Sequence, residues 1–395
     1  MVERRLPGAD FVRAVACLMV LAHHLVLRLD VSAVSPTLLP ALTLARFGNF
    51  GVSVFFVLSG FLLARPFWLA LDNAAPRPSI RIYALRRAAR ILPGFWLALT
   101  VGFILSVTVF GGQLNGALLE RYVAGAMLVS QFHWSTFFPV TVNGPLWSIP
   151  FEITSYILLP VAFVLLFQRQ WTCPWATRLI WVAVIFCVLG LHWLIVRTIA
   201  IDEAGRGWAF GMQGGAKEWM PRFNPIGFFA IFALGSLAAG IHTWIASRRI
   251  RLPDSIGVAA LLTAFFVFAL SARQPFEGYG LLGVPYAFPL FPLSVAAVLT
   301  TVPLTPRLGG LLDGRAIRFI ATVSFGIYVW QDIVIHLIKK VVPWSFTGPF
   351  HDPLMLWLIS CAIATALIMA VAMASFYLLE RPVMRWARRL EKPAT

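Results

Sequence analysis

Two basic side chains eleven residues apart carry the first chemical signal in this chain. Arg13 and His24 lie in an apolar stretch that begins near residue 9. At about 100° per residue, eleven residues make three turns plus about 20°, so a helix presents both on one face, about 16 Å apart. His23 points away from that line, and Asp10 stands three residues before Arg13. Ionisable residues inside apolar stretches are costly and are functional candidates by default. A neutral imidazole takes a proton from a hydroxyl when it acts as a general base. The plainer alternative is a buried histidine hydrogen-bonded within a helical bundle.

Five further segments place polar chemistry among apolar residues. Arg86, Arg87 and Arg90 precede Ile91-Leu92-Pro93. Arg87 and Arg90 are three apart and share a helix face. Guanidinium groups bind phosphates in bidentate fashion, although arginines also stand here simply to anchor a helix at the cytoplasmic surface. The run Asn143-Gly144-Pro145-Leu146-Trp147-Ser148-Ile149-Pro150-Phe151-Glu152 ends on a carboxylate followed by a largely apolar stretch. Glu152 has two readings: the acid partner of a histidine from another helix, or an interhelical salt bridge, with Arg13 as the nearest candidate. Gly51 to Gly60, containing Ser53 and Ser59, allows close helix approach or a narrow wall beside a ligand tunnel. Ser324-Phe325-Gly326-Ile327-Tyr328-Val329-Trp330-Gln331-Asp332 and Glu380-Arg381-Pro382 complete the set. His133, His192, His242, His336 and His351 fall in loops or near span ends and are less informative.

The elements that must position these residues are set by composition. Of 395 residues, 59% are hydrophobic and 12% charged, against about a quarter charged in soluble domains. That excludes an ordinary soluble enzyme and a disordered chain. The net charge of +16 lies between long apolar runs, so it reads as a membrane topology signal and not as a nucleic-acid footprint. Cys17, Cys187 and Cys361 sit in apolar runs and Cys173 in a short loop, with no CxxC or Cys/His spacing; neither a disulfide framework nor a metal site is expected. Arg4 and Arg5 precede the first apolar stretch without a small-residue cleavage site, so that stretch reads as an uncleaved helix.

A spanning helix needs about 20 mostly apolar residues. Ten candidates follow, near 9–29, 48–68, 92–111, 146–167, 178–197, 225–246, 255–272, 281–303, 316–338 and 354–378. The stretch 122–130 is apolar but short, and reads as interfacial or re-entrant. Pro93 is expected to mark the start of the third span. With the N-terminus in the cytoplasm, most Lys and Arg fall on the cytoplasmic side, densest over Arg77–Arg90 and in the tail from Arg381 to Lys392. That bias predicts both termini inside. The longest non-membrane pieces, 112–145 and 198–224, are then external. The expected fold class is an all-α integral membrane protein of about ten transmembrane helices, one domain over 1–395.

Taken together, these segments resemble the acyltransferase-3 family of bacterial membrane acyltransferases over nearly the whole chain. Asp10 through Arg13 to His24 is similar to its first-helix signature, a basic residue and a histidine with ten residues between them. Gly51–Gly60 resembles its GVxxFFxxSG stretch, Arg87-x-x-Arg90 its RxxR pattern, and Leu146-Trp147-Ser148 to Glu152 its LWSLxxE segment. Tyr328-Val329-Trp330 and Glu380-Arg381-Pro382 resemble the closing motifs. Gln331 stands where many members have a histidine. Some members carry an external SGNH-type domain; this chain, ending at Thr395, resembles the stand-alone type.

The resemblance implies an O-acyltransferase of the bacterial inner membrane, without a permanently bound cofactor. It implies transfer of an acyl group, usually acetyl, from cytosolic acyl-CoA to a hydroxyl of a carbohydrate such as a surface polysaccharide, lipopolysaccharide or exopolysaccharide. In that reading His24 is the general base or the acyl carrier, Arg13 and Glu152 organise the site, and Arg87 and Arg90 hold the donor. Asp10, Ser59, Asn143, Trp147 and Tyr328 are supporting positions. The outer loops hold a glycan or glycolipid acceptor, and no nucleic acid is involved. Two rival readings share the same helices: acylation of a small secondary metabolite such as a macrolide, and a non-enzymatic transporter or flippase. Transporters often show repeated halves with matching broken helices, and this sequence shows neither.

Overall fold

A computed structural model describes residues 6–29, 34–73, 75–169, 171, 173–275, 277–347 and 353–391. Arg4, Arg5, His351 and Lys392 lie outside the described residues. Among those described, the regular structure is all helical. The helices are α1 (Ala9–Val26), α2 (Leu39–Arg46), α3 (Gly51–Asp72), α4 (Ile80–Thr108), α5 (Gly116–Ala126), α6 (Ser148–Leu166), α7 (Pro174–Thr198) and α8 (Gly211–Trp219). They continue as α9 (Pro225–Ser247), α10 (Asp254–Ser271), α11 (Leu290–Thr301), α12 (Leu308–Leu312), α13 (Arg315–Val341), α14 (Pro353–Ser375) and α15 (Arg381–Arg389).

Nine helical segments among the described residues are long and apolar enough to cross a membrane. The eighth expected span, 281–303, is shorter than its hydropathy suggests. Its helix is α11, twelve residues prolonged by a 3-10 turn to Leu304. The residues before it form a folded loop with Tyr286 and Ala287 at positive φ, which uses apolar residues as loop packing instead of helix.

A second difference concerns α4. The helix starts at Ile80, not near Pro93, because the Ser79 side chain accepts the Ile82 amide and caps it. Pro93 lies inside the helix. Arg86, Arg87 and Arg90 are therefore on a helix already formed, more than a turn past its start. The short stretch 122–130 contains the end of α5, an eleven-residue helix.

The bundle is built around α3, which is buried along most of its length. Gly60 and Gly235 let α3 and α9 touch backbone to backbone: a Cβ on Gly60 would meet the Phe232 carbonyl, and one on Gly235 the Val57 carbonyl. Gly51 does the same against Ala16 of α1. Small residues take this role in membranes because lipid offers no hydrophobic drive for helix association. The glycines of 51–60 are thus packing residues, while Ser59 between them faces a cleft.

Polar ties fix the ends of the helices. Gly8 N and Phe11 N donate to the Asp313 carboxylate at 2.9 and 3.0 Å, fastening the start of α1 to the start of α13. Arg178 of α7 holds Asp72 of α3 through two bonds of 2.5 and 2.6 Å, and donates to Gly240 O of α9 at 2.7 Å. Arg86 of α4 makes two bonds, 2.8 and 2.7 Å, to Glu391 beyond α15.

Candidate active site

The face of α1 predicted from spacing turns toward α13. Cys17, one turn beyond Arg13, donates to the Ser324 carbonyl through sulfur at 3.5 Å. Further along, Trp357 Nε1 of α14 donates to Leu25 O at 2.9 Å. His23 lies off that face, with Nδ1 2.5 Å from the Arg46 carbonyl oxygen at the end of α2. The two adjacent histidines thus serve different neighbours, as the helical arithmetic requires.

Arg13, Arg87 and Arg90 line one cleft together with Ser59, Ser148, Glu152, Tyr156, Ser324 and Tyr328. It encloses about 740 Å³ of atom-free space, counting its open mouth. Phe55, Leu58, Leu62, Ile91 and Phe325 supply the apolar part of its wall. Three guanidinium groups face one lining carboxylate, Glu152. That carboxylate is engaged: Ser59 Oγ donates to it at 3.0 Å, and the Tyr156 hydroxyl donates to the same oxygen. Among the described residues none of the three arginines stands at ion-pair distance from a carboxylate. The lining of the cleft therefore holds more guanidinium than carboxylate, with Asp10 and Glu380 acting on Arg13 and Arg90 from behind it, and forked guanidinium donors there match oxyanions.

His24 does not line this cleft. It lies about 16 Å along α1 from Arg13 by helix rise, in a second polar group built on α13. Its Nδ1 is 2.9 Å from the Val20 carbonyl oxygen. Its neighbours are Gln331, Asp332 and Arg28. Asp332 is the hub: Arg28 Nη2 lies 3.3 Å from its Oδ1, His336 Nδ1 3.3 Å from the same oxygen, and the Gly144 amide donates to Oδ2 at 2.9 Å. The Asp332 side chain is 6% exposed. A carboxylate with three donors and so little water is held in one position.

Tyr328 joins the two groups. Its hydroxyl shares a 2.6 Å hydrogen bond with Ser148 Oγ and donates to Pro145 O at 3.1 Å, while its ring borders the cleft. Gln331 and Asp332 stand three and four residues later on α13, about one helical turn or 5 Å away. Gln331 Nε2 donates to the Tyr328 carbonyl at 3.1 Å. Asn143 supports the same helix from outside, donating to Val329 O at 2.9 Å.

Several expected positions turn out differently placed. Glu152 is with Arg87 and Arg90 and not beside His24; the carboxylate next to His24 is Asp332. Trp147 packs into an aromatic cluster, 5.4 Å from Phe137 and 5.5 Å from Trp219 between ring centroids, and does not line the cleft. Asp10 sits in the first turn of α1, near Arg13 but outside the cleft lining. The sequence names Asp332 and His336 without giving them a role here, and it does not single out Arg28 or Tyr156. A signal existed for three of them: Asp332 and His336 are four apart, as are His24 and Arg28, and such pairs share a helix face. No cluster of three metal-ligating side chains occurs among the described residues.

The acyltransferase domain family model of the acyltransferase-3 type matches residues 6–373. The chain belongs to the acyltransferase-3 family. It is similar to peptidoglycan O-acetyltransferase OatA of Listeria monocytogenes, 26% identical over 97% of this chain and 56% of OatA. It is similar to exopolysaccharide production protein ExoZ of Rhizobium meliloti, 25% identical over 86% of this chain and 91% of ExoZ. Nodulation protein 10 of Rhizobium leguminosarum is 24% identical over 85% of this chain and 82% of its own length. The chain thus spans little more than half of OatA but most of the other two. No solved structure matches it. As an acyltransferase-3 protein with nine apolar helices of spanning length among the described residues, it is a multi-pass membrane protein. Family membership implies an acyl donor as substrate.

Proposed function

We propose that this protein is a membrane O-acyltransferase that moves an acetyl group from cytosolic acetyl-CoA to a hydroxyl of a cell-surface carbohydrate. The observation that carries the reading is the pairing of an arginine-rich cleft with a histidine–carboxylate group whose Asp332 stands about one helical turn beyond Tyr328 of the cleft wall. Arg87 and Arg90 hold the donor phosphates, and Arg13 and Glu152 organise the inner wall of the cleft. The thioester end of the donor passes Tyr328 toward His24. The acceptor hydroxyl gives its proton to the His24 imidazole as its oxygen attacks the thioester carbonyl. The C–S bond breaks, an ester forms, and the proton passes from His24 to the departing CoA sulfur. Asp332 fixes Arg28 and His336 around the imidazole, which is positioning and not contact with the reacting atoms. The names of OatA, ExoZ and their like, which speak of peptidoglycan and exopolysaccharide, support a glycan acceptor.

The same reading puts the mouth of the arginine cleft and both termini in the cytoplasm, with residues 1–395 acting as one transmembrane unit in the bacterial inner membrane. The Lys/Arg distribution supports this. Reporter fusions at 75 and 250 are expected on the cytoplasmic side and at 125 and 210 on the outer side; reversal at two of the four sites refutes the orientation. The function itself is tested by incubating purified protein in nanodiscs with acetyl-CoA and a surface glycan. Ester formation on the glycan with release of free CoA is expected, and transport of acetyl-CoA or glycan without ester formation defeats it. Mass spectrometry of protein exposed to donor alone separates the two histidine roles, since an acetylated His24 replaces the base by an acyl carrier.

A further inference from the structure

A second cavity lies at the far end of α4. Ser106 at its edge is sixteen residues beyond Arg90, about 24 Å along the helix. Its atom-free space is about 650 Å³, counting the open mouth. Its polar lining is Ser106, Gln113, Asn115, Arg121, Thr141 and Gln213, and no carboxylate borders it. Side-chain amides both donate and accept, as a sugar hydroxyl does.

The one charge in this lining is unbalanced. Arg121 Nε donates to the Phe138 carbonyl at 2.8 Å. Its Nη2 is buried and meets no hydrogen-bond partner among the described residues. Burial alone pulls this guanidinium below its ordinary value, with no facing carboxylate to raise it. A buried cation left without a counter-charge is costly, and an oxyanion supplied by a ligand removes that cost.

The cavity also adjoins the histidine group. Phe110 in its lining packs edge-on against His336, 6.0 Å between ring centroids. Val142 in the same lining stands two residues before Gly144, whose amide holds Asp332. A ligand seated here therefore lies beside His336 and the segment whose Gly144 amide holds Asp332.

We infer that this cavity is the acceptor subsite and that Arg121 selects a sugar bearing a carboxylate. The inference rests on the proposed acyl transfer for its meaning but not for its test, which reads binding. Purified protein in phosphatidylcholine nanodiscs is titrated with a glucuronate-containing oligosaccharide and with its carboxyl-reduced counterpart. Wild type is expected to bind the acidic form more tightly. Arg121→Gln should weaken acidic binding by about 10–100-fold, the range for a lost hydrogen bond to a charged group, and leave the reduced form unchanged. Arg121→Lys, which keeps the charge and loses the fork, should fall between, with melting temperature as the folding control. Equal affinity for the two sugars, or equal loss on both, overturns the inference. Loss of acidic-sugar binding when phosphatidylglycerol replaces the neutral lipid also overturns it, in favour of a lipid phosphate as occupant. A protein that binds the acidic sugar but transfers nothing keeps the subsite and loses the proposed function. One that acylates neutral glycans regardless of Arg121 does the reverse.

Discussion

The two polar groups of this bundle solve opposite electrostatic problems. In the cleft, Arg13, Arg87 and Arg90 surround a single lining carboxylate, which Ser59 and Tyr156 already occupy. Around Asp332, Arg28, His336 and the Gly144 amide converge on one buried carboxylate and leave little charge unmet. The first arrangement leaves guanidinium donors open toward the cleft. The second is complete without a ligand. In the proposed reaction the first group would bind the donor, for which an open, charge-rich wall suffices, and the second would hold the reacting imidazole, for which geometry must be set beforehand.

This contrast is broken or sharpened by four measurements. The largest effect is expected from His24→Ala, which should lower the transfer rate by about 10²–10⁴-fold, the usual range for loss of a general base, with acetyl-CoA affinity intact. His23→Ala should be milder, since His23 serves Arg46 and lies off the α13 face. Equal losses at both positions, with normal protein levels, would erase the distinction of faces.

Asp332→Asn comes next and acts on both stability and rate. Removing one partner of a buried ion pair typically costs about 3–5 kcal/mol, so the melting temperature should fall along with kcat while donor affinity stays near wild type. If donor affinity falls as much as kcat, the two groups are one site and not two.

Arg87→Lys and Arg90→Lys should each weaken acetyl-CoA binding by about tenfold, because Lys keeps charge but loses bidentate geometry. Once donor is saturating, kcat should change little. Unchanged affinity in both variants would return these arginines to topology anchors, for which charge alone counts.

The smallest effect concerns Glu391, whose carboxyl the Arg86 guanidinium holds below its ordinary value. A carboxyl lowered in the fold stabilises it above the unfolded value, and that contribution disappears as pH falls through the lowered value. The pair is partly exposed, so Glu391→Gln should flatten the acid limb of the melting curve only slightly and less at high salt. A large effect would mean that the α4–α15 tie, and not only the cleft, controls the arginine face.

The sequence by itself determined the helical membrane class, since long apolar runs have few other ways to satisfy their backbone in lipid. It also determined which residues of α1 share a face, because that depends only on helical pitch: Arg13, Cys17 and His24 all meet the α13 side of the bundle. The arginine cleft was partly legible, since Arg87 and Arg90 are three apart. Hydropathy could not show that α11 is only twelve residues long, because apolar residues of 281–289 pack as a loop as readily as they form a helix. Nor could spacing choose the carboxylate beside His24. Glu152 and Asp332 are both acids in apolar surroundings, and only the packing of α13 against α1 brings Asp332 to the imidazole and leaves Glu152 with Ser59 and Tyr156. Periodicity fixes which way a side chain leaves its own helix. Which helix it meets depends on contacts far apart in the chain, and those are set by the glycine-lined crossings of α3 with α1 and α9.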